Sequence, residues 1–375
     1  MKIPVTKPYF TKDEEKEVLE VLRTGWVVQG PKVEALEKEV AKYVGAKYAV
    51  ATSSCTTALH LALLLMGAGP NDEIIVPSFT FIATPNSVVY TGATPVFADV
   101  QKDTYNLDPK DIERKITKNT RGIMPVHQVG LAADMKKILA IAKKHKLFVV
   151  EDAACALGTK IQGKHVGTFG EIGCFSFHPR KSITTAEGGM LVTNNKILAE
   201  KARILRAHGM SVSDRKRHES KTFIDESYDV LGYNYRMSDV HAAIGIAQFR
   251  KLNAILNKRK RLADRYTKYL SRNPYIITPQ VPVGYAHTFQ SYIVRLADNA
   301  PISRTEFMEK LLKKDISTRI GVKASHLTPL YKKQKTTLKN TELLEKTIIT
   351  LPLYATMMIA EQDYVIASIN QALGV

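Results

Sequence analysis

The sequence predicts an α/β protein with a large three-layer αβα domain, built on a mostly parallel sheet, and a smaller C-terminal α+β domain. The chain of 375 residues is too long for one simple core. Its 45% hydrophobic and 24% charged residues are typical of a globular protein and exclude a disordered chain. Short apolar runs alternate with segments of helical periodicity over the first two thirds of the chain, which indicates parallel strands covered by helices. We therefore expect the large domain at 1–250 and the small domain at 251–375.

Seven apolar runs are predicted to be strands of the large domain. They are 48–52, 73–77, 95–100, 122–126, 147–152, 173–177 and 189–193. Intervening segments such as 56–66 and 135–145 have the apolar spacing of helices. Because ligands of such sheets bind at the carboxyl ends of the strands, reactive side chains are expected directly after these runs.

The pattern changes from about residue 251. One long helix is predicted over 240–270, followed by a strand at 292–296, a helix near 304–314 and an extended segment at 316–319. This mixture is typical of a smaller α+β domain that closes against the first one.

The sequence also predicts a compartment. The N-terminal segment contains no apolar signal sequence, and the longest apolar stretch, near 59–66, is too short to span a bilayer. Cys55, Cys155 and Cys174 show no CxxC spacing and cannot all pair with one another, so we expect reduced thiols and no metal site. We therefore expect a cytoplasmic protein without a membrane partner.

The net charge of +18 admits two interpretations. Clusters of Lys and Arg bind polyanions by releasing counterions, which would favour a nucleic-acid partner. However, the basic clusters at 215–221, 258–265 and 332–339 lack the interleaved aromatic residues and the zinc-ligand spacing of known nucleic-acid-binding modules. A basic surface that attracts an anionic substrate is favoured, and no nucleic-acid partner is expected.

Two segments after predicted strands are suggestive but ambiguous. Residues 52–59 open a predicted helix, whose free N–H groups, positive dipole end and hydroxyl side chains could bind a phosphate or form an ordinary N-cap. Asp152 ends the apolar run 147–152, where an unpaired buried charge would be costly. A protonated pyridine nitrogen could pair with it and keep a cofactor ring an electron sink, or Asp152 could cap the next helix.

Lys181 decides between these alternatives. It follows the strand at 173–177, and Gly188 and Gly189 allow a close backbone approach just before the next strand. A lysine that forms a Schiff base must lie near a carbonyl carbon and be partly deprotonated, which desolvation favours. A lone lysine is most often a surface charge, but a phosphate turn, a strand-end Asp and a Gly-flanked Lys in this order indicate a pyridoxal phosphate site.

Six sequence blocks occur in the order of a known family. They read TSSCTTALHLAL, VPSFTFIAT, TGATPVFADV, EDAACALG, FSFHPRKSITTAEGGM and LGYNYRMSD. This order resembles the DegT-type nucleotide-sugar aminotransferases, which belong to the fold type I, or aspartate aminotransferase-like, pyridoxal phosphate enzymes. The resemblance runs from about residue 4 to the carboxyl terminus and implies that fold and that cofactor.

The resemblance implies roles around the cofactor ring. Lys181 matches the Schiff-base lysine, which also carries the proton to and from the substrate carbon. Asp152 matches the acid that faces the pyridine nitrogen, and Phe81 matches the aromatic residue stacked on the ring. Cys155 stands where Gln or His usually contacts the ring hydroxyl, and a thiol is a weak donor.

The resemblance also implies a phosphate site shared between two subunits. Thr56, with the backbone of Cys55, and Ser176 match phosphate ligands. Asn234 matches a ligand supplied by the other subunit, which implies a homodimer with active sites at its interface. Cys55 stands where Gly is common in the phosphate turn, and Ala186 replaces another common Gly.

In this family glutamate donates the amino group and a nucleotide-linked keto sugar accepts it. The block DISTRIG resembles members that act at C4 of a 4-keto-6-deoxy sugar, including those that make perosamine-like products. Arg319 and His326 match candidates for nucleotide or sugar contact, and Trp26 and Glu187 match candidates near the sugar ring. His178 is interpreted as structural.

Three alternative functions within this fold remain open. They are a C3-keto-sugar aminotransferase of the same family, a sugar 3-dehydratase, and a non-catalytic regulatory protein. The dehydratase carries His at the lysine position, so Lys181 argues against it. The intact pair of Lys181 and Asp152 argues against a regulatory protein.

Overall fold

The computed structural model describes residues 2–212, 220 and 222–375, so most of the basic cluster at 215–221 lies outside the described residues. The strands are β1 (Tyr48–Thr52), β2 (Glu73–Pro77), β3 (Thr94–Ala98), β4 (Thr120–Ile123), β5 (Phe148–Asp152), β6 (Lys160–Ile161), β7 (Lys164–His165), β8 (Ile172–Ser176), β9 (Gly189–Thr193), β10 (Ile276–Ile277), β11 (Tyr285–Ala286), β12 (Tyr292–Leu296) and β13 (Ile348–Leu351).

The α-helices are α1 (Lys12–Thr24), α2 (Pro31–Val44), α3 (Cys55–Leu65), α4 (Ala83–Tyr90), α5 (Pro109–Lys115), α6 (Met135–His145), α7 (Lys196–Leu205), α8 (Asp239–Arg250), α9 (Leu252–Leu270), α10 (Arg304–Leu312), α11 (Lys339–Thr347) and α12 (Ile359–Leu373). Short 3₁₀ turns lie at Gln128–Gly130, Ser325–Leu327 and Lys332–Gln334. No helix within these described ranges is both long enough and apolar enough to cross a bilayer.

A seven-stranded sheet in the order β1-β9-β8-β5-β4-β2-β3 organises the large part of the chain. Strand β9 runs antiparallel to β1 and β8, and the remaining neighbours are parallel. Separate buried clusters cover the sheet, one including residues of α2 and α8 and another residues of α3. The predicted α/β fold with a mostly parallel sheet is confirmed.

Two predicted strands end earlier than expected. The strands predicted at 95–100 and 122–126 end at Ala98 and Ile123. Beyond these ends, Val100 pairs only with Leu107, and Val126 pairs only with Asp152, as isolated bridges. The apolar pattern continues because these residues remain buried after the ladder has ended.

The single helix predicted at 240–270 is wrong, because it is interrupted at Lys251 between α8 and α9. The Lys251 N–H donates to Gln248 O at 3.1 Å, which tightens the turn. Its ammonium group reaches Thr11 Oγ1 at 2.9 Å and also contacts Glu14, both near the start of α1. The predicted domain boundary falls at this break and stays a prediction.

The C-terminal part contains a three-stranded antiparallel sheet in the order β10-β12-β13. Its buried cluster also includes Ile3 from the N-terminal segment. Ile3 N donates to Asp315 O at 2.8 Å, and Ser317 N donates to Ile3 O at 2.9 Å. The extended segment predicted at 316–319 therefore makes isolated bridges, to Ile3 and to Thr350, rather than a full strand.

Candidate active site

A cavity of about 320 Å³ opens where β5 and β8 end and brings together most of the predicted site residues. The predicted residues that line it are Cys55, Thr56, Phe81, Asp152, Cys155, Ser176, Lys181, Glu187 and Arg319. Its position agrees with the rule that ligands of parallel sheets bind at the carboxyl ends of the strands.

Asp152 is the last residue of β5, and its carboxyl group is almost completely buried. Thr84 Oγ1 donates to Asp152 Oδ2 at 2.7 Å, and the Ala154 N–H donates to Oδ1 at 3.1 Å. Burial raises the pKa of Asp152 above its ordinary value, although these two hydrogen bonds oppose the shift. A cationic ligand group beside it would therefore be strongly favoured.

Lys181 points into the same cavity from the turn that follows β8. Its Nζ donates to Cys155 Sγ at 3.0 Å. Burial by itself would lower the pKa of Lys181, but Cys155, Cys55 and Asp152 outweigh it and hold that pKa above its ordinary value. Burial thus favours the neutral amine, whereas these neighbouring groups favour the ammonium form, and the expected partial deprotonation of Lys181 stays a prediction.

The predicted phosphate turn forms the N-terminus of α3. Ser54 is the N-cap, and its side chain accepts a hydrogen bond from the Thr57 N–H. Gly189, at the start of β9, packs directly against this turn, because a Cβ atom there would lie 2.4 Å from Ser54 C and 2.5 Å from Cys55 N. The close approach predicted for Gly189 is confirmed, and it leaves the first N–H groups of the helix next to the cavity.

The two departures from common glycines have different consequences. Cys55 has no positive φ, so the side chain is accommodated without backbone strain. Ala186 has φ of +67°, in the left-handed region that favours glycine. The loop between Lys181 and β9 therefore has a backbone conformation that suits glycine, and the Cβ atom of Ala186 is strained in it.

Polar groups from three segments surround the entrance. Arg180 and Arg319 are exposed and line the cavity together with His178 and Glu187. His178 Nδ1 accepts the Arg180 N–H at 3.2 Å, so a neutral imidazole carries its proton on Nε2, which lies 4.0 Å from Glu187 Oε1. Burial, followed by Arg180, lowers the pKa of His178 and favours this neutral form. The interpretation of His178 as structural stays a prediction, and the residue also lines the cavity.

Three predicted residues do not line the cavity. Trp26 Nε1 donates to Gln29 O at 3.2 Å, and its ring packs against Gly30. Asn234 is exposed and forms an isolated bridge with Ala207. Neither Trp26 nor Asn234 therefore contacts the cavity of its own chain.

His326, the third of these, is buried in a hydrogen-bonded clamp. Its Nδ1 lies 2.6 Å from Ser78 Oγ, and its N–H donates to the same oxygen at 3.1 Å. Its Nε2 lies 3.3 Å from Glu342 Oε1. These contacts fix the loop after β2 to the C-terminal part of the chain and give no support to a ligand contact.

Sequence reasoning missed several cavity residues, among them Thr84 and Arg180. Thr84 lies in the block VPSFTFIAT, near the start of α4, and its buried hydroxyl contacts Asp152 and Thr80. A buried hydroxyl of this kind needs a partner, which was the available signal. Arg180 gave no such signal, because an arginine next to a turn is usually a solvated charge.

The sequence matches one protein family along almost its whole length. The model of the DegT/DnrJ/EryC1/StrS aminotransferase family matches residues 8–370. The chain belongs to this family. The resemblance of the six sequence blocks is therefore confirmed, as are the aminotransferase class and pyridoxal phosphate as the cofactor.

Individual relatives match this protein along nearly its whole length. The chain is 40% identical over 375 residues to the GDP-perosamine synthase of Caulobacter vibrioides, and the match covers 99% of this chain and 98% of the relative. It is 39% identical over 374 residues to the spore coat polysaccharide biosynthesis protein SpsC of Bacillus subtilis, covering 98% and 96%. The solved structure of Spr1654 from Streptococcus pneumoniae in its PLP form superimposes with a TM-score of 0.92 at 28% identity, covering 100% and 99%. The predicted aspartate aminotransferase-like fold is thereby confirmed.

The side chains of the cavity fit this cofactor. Asp152 offers a buried anion for a protonated ring nitrogen, and Lys181 offers an amine for the carbonyl carbon. The close contact between Gly189 and the turn at Ser54 leaves a helix N-terminus for the phosphate. The ring nitrogen, the carbonyl carbon and the phosphate of the cofactor thus each have a complementary group in one cavity.

Proposed function

We propose that this protein transfers an amino group from glutamate to C4 of a nucleotide-linked 4-keto-6-deoxy sugar. Amino transfer is supported above all by one observation, that Lys181 and Asp152 face the same cavity. The choice of sugar is supported by the 40% identity to GDP-perosamine synthase, which favours a GDP-linked acceptor. A related C3 acceptor is the alternative that the experiment below separates.

Specific residues would hold the cofactor. Lys181 would bind it covalently through Nζ, and Asp152 would pair with its ring nitrogen. Thr56, the backbone of Cys55, and Ser176 would bind its phosphate at the N-terminus of α3 and the end of β8. When bound, pyridoxal phosphate supplies an electron sink that stabilises negative charge on the carbon that loses a proton.

Lys181 Nζ is also the proposed carrier of the proton. It would take the proton from the α-carbon of the amino donor and deliver a proton to C4 of the acceptor. Cys155 Sγ accepts a hydrogen bond from this amine at 3.0 Å and would orient it towards the cavity. A positioned amine of this kind contributes a rate factor of about 10² to 10⁴ in general acid–base catalysis.

Both proposed substrates are anions, and the cavity entrance is suited to them. Arg180 and Arg319 place guanidinium groups at the entrance, and the chain carries a net charge of +18. A positive field of this kind raises the rate of encounter with anionic ligands. Glu187 is proposed to contact sugar hydroxyl groups from the same side.

A homodimer with shared active sites is part of the proposal. Phe81 is 64% exposed although it lines the cavity, so one of its faces is available for the cofactor ring. Asn234 is exposed and lies outside its own cavity, which is compatible with a role in the partner's site. Trp26 and His326 remain candidates for sugar contact only in the sense of the family resemblance.

Two half-reactions test the proposed activity. Glutamate should convert the visible absorbance of the bound cofactor to that of its amine form, and a GDP-linked 4-keto-6-deoxy sugar should restore it. Lys181→Ala is the matched control and should slow both conversions by about 10³-fold or more. NMR of the product should locate the amino group at C4. An amino group at C3, or no restoration by any 4-keto sugar nucleotide, would contradict the proposed acceptor.

Subunit mixing tests the shared site. Lys181→Ala and Asn234→Ala proteins should each be impaired, whereas heterodimers should contain one site with both native residues. Co-refolding of the two variants should therefore restore activity that neither has alone. If mixed proteins remain at the level of the separate variants, Asn234 does not serve the partner subunit.

A further inference from the structure

Two threonine hydroxyls that have no role in the reaction proposed above hold the carboxyl group of Asp152. Thr84 Oγ1 lies 2.7 Å from Asp152 Oδ2, and Thr80 Oγ1 lies 2.8 Å from Thr84 Oγ1. The exposed fractions of Thr80, Thr84 and Asp152 are 3%, 1% and 4%. The three groups thus form a buried chain of hydrogen bonds that ends at the acid.

The direction of this chain follows from the chemistry of its last member. An ionised carboxylate can only accept hydrogen bonds, so the Thr84 hydroxyl donates to Asp152. The oxygen of Thr84 is then free to accept, and the Thr80 hydroxyl donates to it. Both protons therefore point towards Asp152, and each bond strengthens the next because the chain is polarised by a charge. This arrangement favours the ionised carboxyl group against the effect of burial.

The position of the two threonines is fixed by the same turn that presents Phe81. The Thr84 N–H donates to Phe81 O at 3.1 Å as the chain enters α4. On the other side of the turn, Phe79 pairs with Ala324 as an isolated bridge. A residue that contacts the ring face and a residue that orients the ring-nitrogen partner are therefore carried by one anchored turn.

We infer that Thr84, supported by Thr80, is a positioning residue that keeps Asp152 ionised and correctly oriented for the cofactor's ring nitrogen. This inference rests on the proposed role of Asp152 as the partner of that nitrogen. Without the Thr84 hydroxyl, the buried carboxyl group would hold its own proton more strongly and would pair less well with a cation. A purely structural hydroxyl would instead affect every ligand of the cavity alike.

The decisive test compares two cofactors that differ only at the ring nitrogen. The first cofactor is pyridoxal phosphate, and the second is its 1-deaza analogue, which has a carbon atom in place of that nitrogen. Each is titrated into the cofactor-free protein, and its dissociation constant is measured by absorbance. Thr84→Val should weaken binding of pyridoxal phosphate by about 10- to 100-fold, the effect of losing a hydrogen bond to a charged group. It should leave binding of the deaza analogue nearly unchanged, and Thr84→Ser should behave like the native protein.

A pH series supplies an independent measurement. The affinity for pyridoxal phosphate should fall on acidification as Asp152 becomes protonated. Loss of the Thr84 donor raises the pKa of Asp152, so this fall should move to higher pH in Thr84→Val. Thr80→Val should shift it in the same direction by a smaller amount, because Thr80 acts through Thr84. Lys181, His127, Cys55 and Cys174, which interact electrostatically with Asp152, are unchanged in all of these variants.

Asp152→Asn separates the two levels of the argument. If this substitution weakens the binding of both cofactors equally, the proposed role of Asp152 is wrong. If it weakens pyridoxal phosphate more than the deaza analogue, but Thr84→Val weakens both cofactors equally or neither, only the inference about Thr84 is overturned. Thr84→Ser shows whether the hydroxyl rather than the packing is responsible, because serine keeps the donor and loses the methyl group.

Discussion

Glu151 and Asp152 are neighbours in β5 but have unrelated tasks, and replacement of Glu151 by Gln tests this division. Glu151 is completely buried. Its Oε1 accepts the N–H groups of Phe169 at 2.6 Å and Gly170 at 2.7 Å. Its Oε2 accepts the Gly167 N–H at 2.7 Å and lies 2.9 Å from His127 Nε2. The carboxylate thus fixes the loop between β7 and β8 to the centre of the sheet.

The expected cost follows from these four contacts. His127 Nδ1 accepts the Ala133 N–H at 3.1 Å, so a neutral imidazole donates from Nε2 to Glu151. An amide keeps one oxygen for two donors but turns its NH₂ group against the other two. Lost charge-assisted bonds contribute about 1.5–3 kcal/mol each, and a buried donor without an acceptor adds to this. Because such terms are not additive, we expect Glu151→Gln to lower the free energy of unfolding by about 3–5 kcal/mol.

Urea unfolding followed by circular dichroism measures this change. For a chain of this length, with an m value of ~3 kcal/mol/M or more, the midpoint should fall by about 1 M. Glu171→Gln is the matched control, since its carboxylate is exposed and accepts the Val149 N–H at 2.7 Å, which an amide oxygen can still do. A loss below ~1 kcal/mol for Glu151→Gln, or one equal to that of the control, would refute the reasoning.

Three further predictions follow from single residues. Lys181→Ala should slow both half-reactions, measured by rapid-mixing absorbance, by about 10³-fold or more, while gel filtration should show that pyridoxal phosphate still binds non-covalently. A loss of rate below about tenfold would contradict the role of Lys181. Ala186→Gly should raise the free energy of unfolding, measured by thermal unfolding, by about 0.5–1 kcal/mol, because glycine relieves the strain of a φ of +67° at some cost in chain entropy. A lower stability of this variant would contradict the prediction. Burial, together with Lys160, lowers the pKa of His165 from 6.5 to about 4, so between these pH values the unfolded chain binds a proton that the folded chain does not. Stability should therefore fall as the pH falls through this window, by up to ~3 kcal/mol from this group, and His165→Gln should flatten the curve; parallel curves would exclude this contribution.

The candidate site could be predicted from the sequence wherever its residues lie in one short segment. The phosphate turn at 52–59 and the lysine loop from Lys181 to Gly189 each follow a strand with a clear apolar pattern. The carboxyl ends of those strands meet at one edge of the sheet, so the residues could be expected to converge. Their convergence in one cavity follows from that rule.

Contacts between distant segments could not be predicted in this way. At the break, Lys251 contacts Thr11 and Glu14, which lie about 240 residues earlier, whereas the helical periodicity runs through the break unchanged. His326 Nδ1 lies 2.6 Å from Ser78 Oγ in a distant segment, and its predicted ligand contact stays a prediction. Neither outcome leaves a signal in the local spacing of residues.

The sequence by itself determined the α/β fold, the order of the strands along the chain and the choice of Lys181 as the candidate Schiff-base lysine, because these depend on local periodicity and on short motifs. The family resemblance indicated Asp152 rather than Glu151 as the site acid, but only the tertiary structure shows why Asp152 is the one that lines the cavity. Successive side chains of a strand point to opposite faces, and in a strand buried on both sides the apolar pattern does not distinguish those faces. Packing against the loop at Gly167–Gly170 takes Glu151 into the protein, and the hydroxyl of Thr84 holds Asp152 at the cavity.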